Sequence, residues 1–290
     1  MTLPQGVFAA GTRPRRYGRP MGQGRVLLTG AAGLLGTWLL KSAAPSIEVV
    51  ALTHRRAVED VHAVRADLRR AADAAAALHE LGPSLVIHAA YENDRPSIVD
   101  ATRNLVDGAT AVGAGVVYIS TDAVFRGDGE PRDEQSLPDP GWDYGRWKAA
   151  AERIVLDADE AAAVIRLPLL VSIDPDDHVV RRIRGAAADG TSTRWFTDEW
   201  RRPAWASEIA AAIWRIVALP VPDRRGCWHL AGPERLSRFE IAQRVVERLH
   251  LSGSAIEPAQ QPRDTDRPRD LEFTDARARV VIGWSPSPIA

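Results

Sequence analysis

The chain has 290 residues, of which 45% are hydrophobic and 26% are charged, and its formal net charge is −1. This length allows one large or two small domains, and the near-zero charge argues against binding to nucleic-acid polymers or membranes through bulk charge. The single cysteine, Cys227, excludes an internal disulfide and a thiolate metal cluster. The seven histidines lack the paired spacing of a metal site, so no metal is predicted. No apolar run approaches the roughly 18 residues of a membrane span.

The N-terminal residues 1–23 are rich in Gly, Pro and Arg, and we predict that they form a disordered extension. Their apolar run is too short for a signal peptide, and the arginines follow it rather than precede it. The cytoplasm is therefore the expected compartment. A basic interaction tail is the alternative interpretation of this segment.

Strand-like apolar runs alternate with helical patterns over residues 24–170. The predicted strands are RVLLTG, IEVVALT, VHAVRADL, SLVIHAA, GVVYIS and AAVIRLPLL. The predicted helices are LLGTWLLKSAA, RRAADAAAALHELG, PSIVDATRNLVDGATAVG and one that begins at about Asp143. This alternation predicts an α/β fold with a doubly wound parallel sheet of the Rossmann type, which binds ligands at the carboxyl ends of its strands.

The pattern changes in residues 171–290, which we predict to be a smaller, mostly helical lobe that binds the substrate and interleaves with the first domain. Its helical segments are DPDDHVVRRIRGAAADG, WASEIAAAIWRIVALP and LSRFEIAQRVVERLH, and its short strands are TRWF and CWHLAG.

A glycine-rich turn, TGAAGLLG, places Gly30, Gly33 and Gly36 between the first strand and the first helix. Glycines there allow a pyrophosphate to approach the backbone amides, where the helix N-terminus adds positive potential. Tight helix–strand packing is the simpler alternative. The position after the first strand favours a dinucleotide-binding turn, and the absence of a Gly-Lys-Ser/Thr ending excludes a Walker-type phosphate loop.

The end of the second predicted strand indicates which dinucleotide binds. It carries Thr53, His54, Arg55 and Arg56, and no acidic residue. An acid there would hold the ribose hydroxyls of NAD, whereas an arginine can pair with the 2′-phosphate of NADP. We therefore predict NADP(H) as the cofactor, with Arg55 at the 2′-phosphate. A solvated basic turn is the alternative.

A proton-transfer site is predicted from Tyr144 and Lys148, which are four residues apart and therefore share one face of a helix. A nearby ammonium lowers the pKa of a phenol from about 10, and such a tyrosine can give its proton to a carbonyl oxygen. Thr121, at the end of the preceding strand, can hydrogen-bond the same oxygen. The pair alone is a weak signal, but it gains weight from its place downstream of the glycine turn.

The Gly-x-x-Gly-x-x-Gly spacing resembles the extended branch of the short-chain dehydrogenase/reductase superfamily. More specifically, YISTDAVFRGDGEP and YGRWKAAAE resemble the dTDP-4-dehydrorhamnose reductases, as do EWRRPAWASEIAAAI and GCWHLAGPERLSRFEIAQRVVE. The resemblance covers roughly Arg25 to the C-terminus.

The resemblance assigns roles to individual residues. It implies a catalytic triplet of Thr121, Tyr144 and Lys148, in which Tyr144 is the general acid. It implies substrate contacts from Thr121, Asp122 and Arg202. The cofactor-binding residues that it implies, together with those named above, are Gly30, Gly33, Leu34, Leu35, Gly36, Arg55, Asp67, Leu68, Ala89, Ala90, Tyr91, Tyr144 and Lys148.

The activity implied is an NADP(H)-dependent reduction of a 4-keto-6-deoxysugar nucleotide. Departures from the family pattern, such as Ile98 in place of asparagine and Ala123 in place of tyrosine, surround the expected substrate rather than the cofactor. One alternative is an NAD-dependent epimerase or dehydratase of sugar nucleotides. Another is a non-catalytic NADP-binding subunit, because the regulatory subunit of methionine adenosyltransferase shares this fold. The family is often dimeric, so the resemblance also implies a homodimer.

Overall fold

The computed structural model describes residues 24–290, and the predicted extension 1–23 lies outside the described residues. Within the described part, no helix is long and apolar enough to cross a membrane. Strands and helices alternate in its first half. They are β1 (Val26–Thr29), α1 (Leu34–Ser42), β2 (Val49–Thr53), β3 (Ala63–Arg65), α2 (Ala71–Leu81), β4 (Leu85–His88), α3 (Ala101–Val112), β5 (Gly115–Thr121), α4 (Asp143–Ala158) and β6 (Ala163–Leu167).

The second half has short strands and five helices among the described residues. Its elements are β7 (Leu170–Val171), α5 (His178–Asp189), β8 (Thr193–Phe196), β9 (Trp200–Arg201), β10 (Ala204–Trp205), α6 (Ala206–Ala218), α7 (Val221–Arg224), β11 (Gly226–His229), β12 (Leu236–Ser237), α8 (Arg238–Arg248), β13 (Ile256–Ala259) and α9 (Ala276–Ile282). The predicted strand AAVIRLPLL is two strands, β6 and β7, because Pro168 between them has no N–H for a sheet ladder.

The central sheet has seven parallel strands in the order β11-β6-β5-β4-β1-β2-β3. This confirms the predicted doubly wound α/β fold. The strands β1, β4 and β5 lie in the middle, so their carboxyl ends, which carry the predicted site residues, meet at one edge of the sheet.

Both faces of the sheet are buried, which explains why its strands are continuous apolar runs. Val26 and Leu28 of β1 pack on the face that α1 and α6 cover, whereas Leu27 packs on the opposite face, which α2, α3 and α4 cover. The two halves of the chain interleave here. Strand β11 is the last strand of the sheet, and Trp214 of α6 donates a hydrogen bond to the carbonyl oxygen of Leu39 in α1 at 3.0 Å.

The second lobe has its own core, in which residues of α5 and α8 pack around the buried Trp195 of β8. Helix α9 returns to the central sheet and covers the outer side of β11. Its Arg277 stacks on the Trp228 ring with its guanidinium carbon 3.8 Å from the ring centre. The same side chain donates hydrogen bonds to the carbonyl oxygens of Asp223, Arg225 and Cys227.

Candidate active site

A cavity of about 700 Å³ runs along the carboxyl ends of β1, β2, β4 and β5 and continues into the second lobe. Every residue predicted to bind the cofactor lines it, and so do Thr121 and Asp122. Arg202 is not among its lining residues. The fold therefore brings together residues that are more than 100 positions apart in the chain, and Arg202 is the one predicted site residue that it places elsewhere.

The glycine turn has a shape that only glycine permits at two positions. Gly30 has φ +74°, and a Cβ there would lie 2.8 Å from backbone atoms of Ala89 and Ala90. A Cβ on Gly36 would lie 2.2 Å from the carbonyl oxygen of Gly30. The turn is thus packed tightly against the end of β4, and its residues line the cavity, where a pyrophosphate would meet the N-terminus of α1.

His88 holds the ends of β1 and β4 together. Its Nδ1 lies 2.7 Å from Thr29 Oγ1, which also accepts from the amides of Ala89 and Ala90 and therefore donates its proton to His88. Its Nε2 lies 3.1 Å from Thr102 Oγ1, whose own proton goes to the Ile98 carbonyl. Burial lowers the pKa of His88 to about 3, so this histidine is neutral and structural.

The end of the cavity near β2 and β3 is rich in charge. Arg55 forms an ion pair with Glu92 at 2.8 Å. Asp67 accepts two hydrogen bonds from Arg69, at 2.8 and 2.7 Å, and these lower the pKa of Asp67 to about 2. Asp67 is therefore a permanently ionised carboxylate that follows β3, while the tip of β2 presents basic residues only, as predicted.

Tyr144 and Lys148 lie on consecutive turns of α4, which faces β5. The Lys148 ammonium donates a hydrogen bond to the Ile119 carbonyl at 2.7 Å and lies 4.4 Å from the centre of the Tyr118 ring. Tyr144 packs between Tyr91 and Trp142, with ring centres 5.8 and 5.3 Å away. These contacts orient the Tyr144 phenol and the Lys148 amine toward the cavity that both residues line.

Burial controls the protonation of this pair. It raises the pKa of Tyr144 well above 10 and lowers the pKa of Lys148 to about 7. The sequence predicts the opposite direction for Tyr144, because a neighbouring ammonium favours phenolate. In the structure, desolvation of the phenol raises its pKa, and Tyr91, Tyr118 and Asp122 act in the same direction, so the neutral phenol is the stable form, which is the form that a proton donor needs.

Thr121 ends β5 and caps the short turn that follows it. Its hydroxyl accepts a hydrogen bond from the Ala123 amide at 3.2 Å and lies 3.1 Å from Asp122 Oδ1, to which it donates. Burial raises the pKa of Asp122 to about 6. Ala123 also lines the cavity, whereas Ile98, the other departure from the family pattern, is buried in the core beneath α3.

Arg202 is held by the fold rather than exposed to the cavity. It donates to the carbonyl oxygens of Gly232 and Pro233, both at 3.0 Å, and pairs with Glu272 at 2.7 Å. Its neighbour Arg201 points to the other side of β9 and lines the cavity. The structure therefore replaces Arg202 with Arg201 at the cavity wall.

The second lobe contributes a basic wall that the sequence did not identify. Its residues that line the cavity are His178, Arg181, Arg201, Arg238 and Arg267. One buried carboxylate, Glu199, pairs with three of them, at 3.0 Å from Arg201, 2.7 Å from Arg267 and 3.8 Å from Arg238. The four arginines of this wall outnumber the nearby carboxylates of Asp122, Asp177 and Glu199, which leaves an excess of positive charge at this end of the cavity.

Among residues 24–290, no group of three or more His, Cys, Asp and Glu side chains is arranged to hold a metal ion. Trp142 lines the cavity, whereas Trp195 lies in the second-lobe core with 3% of its surface exposed.

Comparison with known proteins identifies the family of this chain. A family model described as RmlD substrate binding domain matches residues 24–288. The dTDP-4-dehydrorhamnose reductase of Mycolicibacterium smegmatis is 31% identical over 272 residues, which are 90% of this chain and 81% of that protein. Methionine adenosyltransferase 2 subunit beta of Xenopus tropicalis is 29% identical over 252 residues, which are 81% of this chain and 75% of that protein.

The fold also matches a crystal structure of the Bacillus anthracis dTDP-4-dehydrorhamnose reductase in complex with NADP, with a TM-score of 0.75 and 22% identity over 87% of this chain and 91% of that one. The resemblance to these reductases is thereby confirmed, and the chain belongs to the RmlD substrate binding domain family.

Proposed function

We propose that this protein is an NADP(H)-dependent reductase that acts on a 4-keto-6-deoxysugar nucleotide. The observation that carries the proposal is the meeting of Thr121, Tyr144 and Lys148 with the glycine turn at one cavity, which then continues to the basic wall of the second lobe. A dinucleotide at the turn and a ketone beside Tyr144 would share this space.

The residues present fit a nicotinamide dinucleotide. Gly30 and Gly36 let the turn pack closely on itself and on the backbone of Ala89 and Ala90, where a Cβ would clash, and all four residues line the cavity. Arg55 is placed to pair with a 2′-phosphate, which would have to draw it away from Glu92. This favours NADP(H) over NAD(H), because the end of β2 itself carries no acidic residue to hold the ribose hydroxyls.

In the proposed reaction, NADPH supplies a hydride to the carbonyl carbon of the substrate. The neutral Tyr144 phenol donates its proton to the carbonyl oxygen, so that the ketone becomes a secondary alcohol and Tyr144 becomes a phenolate that solvent reprotonates. The Thr121 hydroxyl, which donates to Asp122 in the structure, would turn to donate to the same oxygen. The Lys148 ammonium stabilises the phenolate as it forms, which matters because burial otherwise disfavours that charge.

The basic wall supports a substrate with a diphosphate group. Arg181, Arg238 and Arg267 lie at the second-lobe end of the cavity, beyond Thr121 and Tyr144. Guanidinium groups bind phosphate oxygens through paired N–H donors. The diphosphate of a sugar nucleotide would lie there while its keto sugar reaches Tyr144.

A second candidate function is that of an NADP-binding regulatory subunit. It is favoured by the relative from Xenopus tropicalis, which is named as a subunit of methionine adenosyltransferase 2 and matches most of this chain. The complete Thr121, Tyr144 and Lys148 set within one cavity favours catalysis instead.

The deciding experiment follows NADPH absorbance when the purified protein is given dTDP-4-keto-6-deoxyglucose or its epimerised 4-keto isomer. Oxidation of NADPH with either isomer supports the reductase. NADPH binding without oxidation of either substrate favours the regulatory subunit, and turnover without net NADPH consumption favours an epimerase or dehydratase.

A further inference from the structure

Helix α4 carries a third functional side chain on the face that presents Tyr144 and Lys148. Glu152 follows Lys148 by one helical turn and has 2% of its surface exposed. An ionised carboxylate is costly to bury unless it is paired and hydrogen-bonded. The structure supplies both kinds of partner, so Glu152 is stabilised as a carboxylate.

Two side chains from neighbouring strands clamp this carboxylate. Ser120 of β5 donates its hydroxyl proton to Oε1. Arg166 of β6 donates from Nε to Oε1 at 3.1 Å and from Nη2 to Oε2 at 2.8 Å. Because both oxygens are engaged, the position of the negative charge below the cavity is fixed.

The clamp extends to β11. Arg166 Nη1 donates to His229 Nε2 at 3.2 Å, and His229 Nδ1 donates to the Thr274 carbonyl oxygen at 2.9 Å. Burial lowers the pKa of His229 to about 3, so this histidine accepts from Arg166 as a neutral ring. The network therefore contains two charged groups, the Glu152 carboxylate and the Arg166 guanidinium, which form one ion pair.

Lys148 itself is enclosed mostly by groups without charge. The groups that face it are the Tyr91 and Tyr118 rings and the Ile119 carbonyl. The titratable or charged groups near it are His88, Tyr91, Tyr118, Tyr144 and Glu152, together with Arg166, which pairs with Glu152. Burial lowers the pKa of Lys148, and the charge that opposes this effect is Glu152.

Lysine is rare in this chain, which makes its presence at position 148 informative. Of its 37 lysines and arginines, two are lysines, Lys41 and Lys148. An arginine cannot titrate near neutral pH, whereas a buried lysine can. A primary amine whose charge depends on its surroundings is thus present at the one place where the proposed chemistry needs it.

We propose that Glu152 is a positioning residue for Lys148, whose amine it shifts toward the ammonium form beneath the cavity. The role of that charge in catalysis rests on the function proposed above, but the charge itself can be measured without any substrate. Removal of the carboxylate converts Lys148 to the neutral amine at neutral pH and leaves the Tyr144 phenolate without its stabilising cation.

The test is an NMR titration of protein labelled with ¹³C,¹⁵N-lysine, in which the two lysine side chains give two Nζ signals and Lys41→Arg assigns them. Glu152→Gln is expected to lower the titration midpoint of Lys148 by about one pH unit and to leave that of Lys41 unchanged. An unchanged Lys148 midpoint overturns the proposal.

Two further variants separate charge from structure. The double variant Glu152→Gln, Arg166→Gln leaves no unpaired buried cation, so it tests the same point if the single variant does not fold. The double variant should also have a lower Lys148 titration midpoint than the wild type. An unchanged Lys148 midpoint in the double variant counts equally against the proposal. Ser120→Ala keeps both charges and should leave Lys148 near its wild-type midpoint; a shift as large as that of Glu152→Gln would show that packing, not charge, controls Lys148.

The result is independent of the reductase test. A lowered Lys148 midpoint together with no NADPH oxidation by the wild-type protein would sustain the role of Glu152 and reject the proposed reaction. An unchanged midpoint in a protein that oxidises NADPH would do the reverse.

Discussion

Lys148 donates a hydrogen bond to the carbonyl oxygen of Ile119 at 2.7 Å, and this contact joins the functional face of α4 to β5. Thr121 is two residues after Ile119, at the end of the same strand. The lysine therefore holds the helix that carries Tyr144 against the strand that ends at Thr121.

Replacement of Tyr144 by phenylalanine removes the proposed proton donor and keeps the ring that packs between Tyr91 and Trp142. We expect turnover with NADPH to fall by about 100-fold or more, while NADPH affinity, measured by fluorescence titration, changes little. Tyr118→Phe is the control, because Tyr118 is buried and does not line the cavity. If Tyr144→Phe kept most of the wild-type turnover, Tyr144 could not be the general acid.

Replacement of Arg55 by glutamine should weaken the binding of NADPH by about tenfold and the binding of NADH much less. The reason is that only NADPH carries the 2′-phosphate, to which Arg55 can donate a charge-assisted hydrogen bond. Dissociation constants for both cofactors would be measured side by side. Arg95→Gln, which breaks an exposed pair with Asp100 outside the cavity, should change neither value. Equal losses for the two cofactors in Arg55→Gln would remove the case for a 2′-phosphate site.

Arg202 and Arg267 should respond differently to replacement by glutamine. Arg202→Gln is expected to lower the free energy of unfolding by about 1–3 kcal/mol, because Glu272 and two carbonyl groups lose their donor, with KM unchanged.

Arg267→Gln should raise the KM for the sugar nucleotide, because Arg267 lines the basic wall, and should also cost stability through the buried Glu199. Urea unfolding and steady-state kinetics on both variants check this contrast. If KM increased only in Arg202→Gln, the substrate would bind beside Arg202 and not at the basic wall.

Acid should destabilise the protein through His88. Burial lowers the pKa of His88 to about 3, whereas an unfolded histidine titrates near 6.5. Above about pH 6.5 neither state binds the proton and the stabilisation is complete. Below about pH 6.5 the histidine binds a proton in the unfolded state but stays neutral in the folded state. The free energy of unfolding therefore decreases progressively as the pH falls toward 3.

The histidine contribution can be isolated by urea unfolding at pH 7.5 and pH 5. His88→Asn should reduce the stability difference between these two conditions by about 2 kcal/mol. His79→Asn, at an exposed position of α2, should retain the wild-type difference. The same difference in His88→Asn as in wild type would show that another group is responsible.

Much of the site was predictable from local sequence because its parts are local. The glycine turn needs one strand, one helix and small residues between them, and the Tyr144–Lys148 pair needs one helix face. Both appear as spacing in a single segment. The alternation of apolar runs likewise predicts the parallel sheet, since burial of both faces demands it.

The basic wall was not predictable, because it is assembled from segments as distant as Arg181 and Arg267. Arg201 ends β9 and Arg202 directly follows it, and which of the two side chains faces the cavity depends on the packing around them, so the sequence alone could not distinguish Arg201 from Arg202. The direction of the Tyr144 pKa also depends on burial, which spacing does not reveal. The scarcity of lysine was a signal in the sequence that could have singled out Lys148 directly.

Arg277 has a consequence beyond its stacking on Trp228. The outer edge of a terminal β-strand normally offers a row of free carbonyl and amide groups on which another chain can build. Here the guanidinium of Arg277 occupies carbonyl groups along and just before β11. The side chain therefore hinders another strand from pairing with this edge of β11.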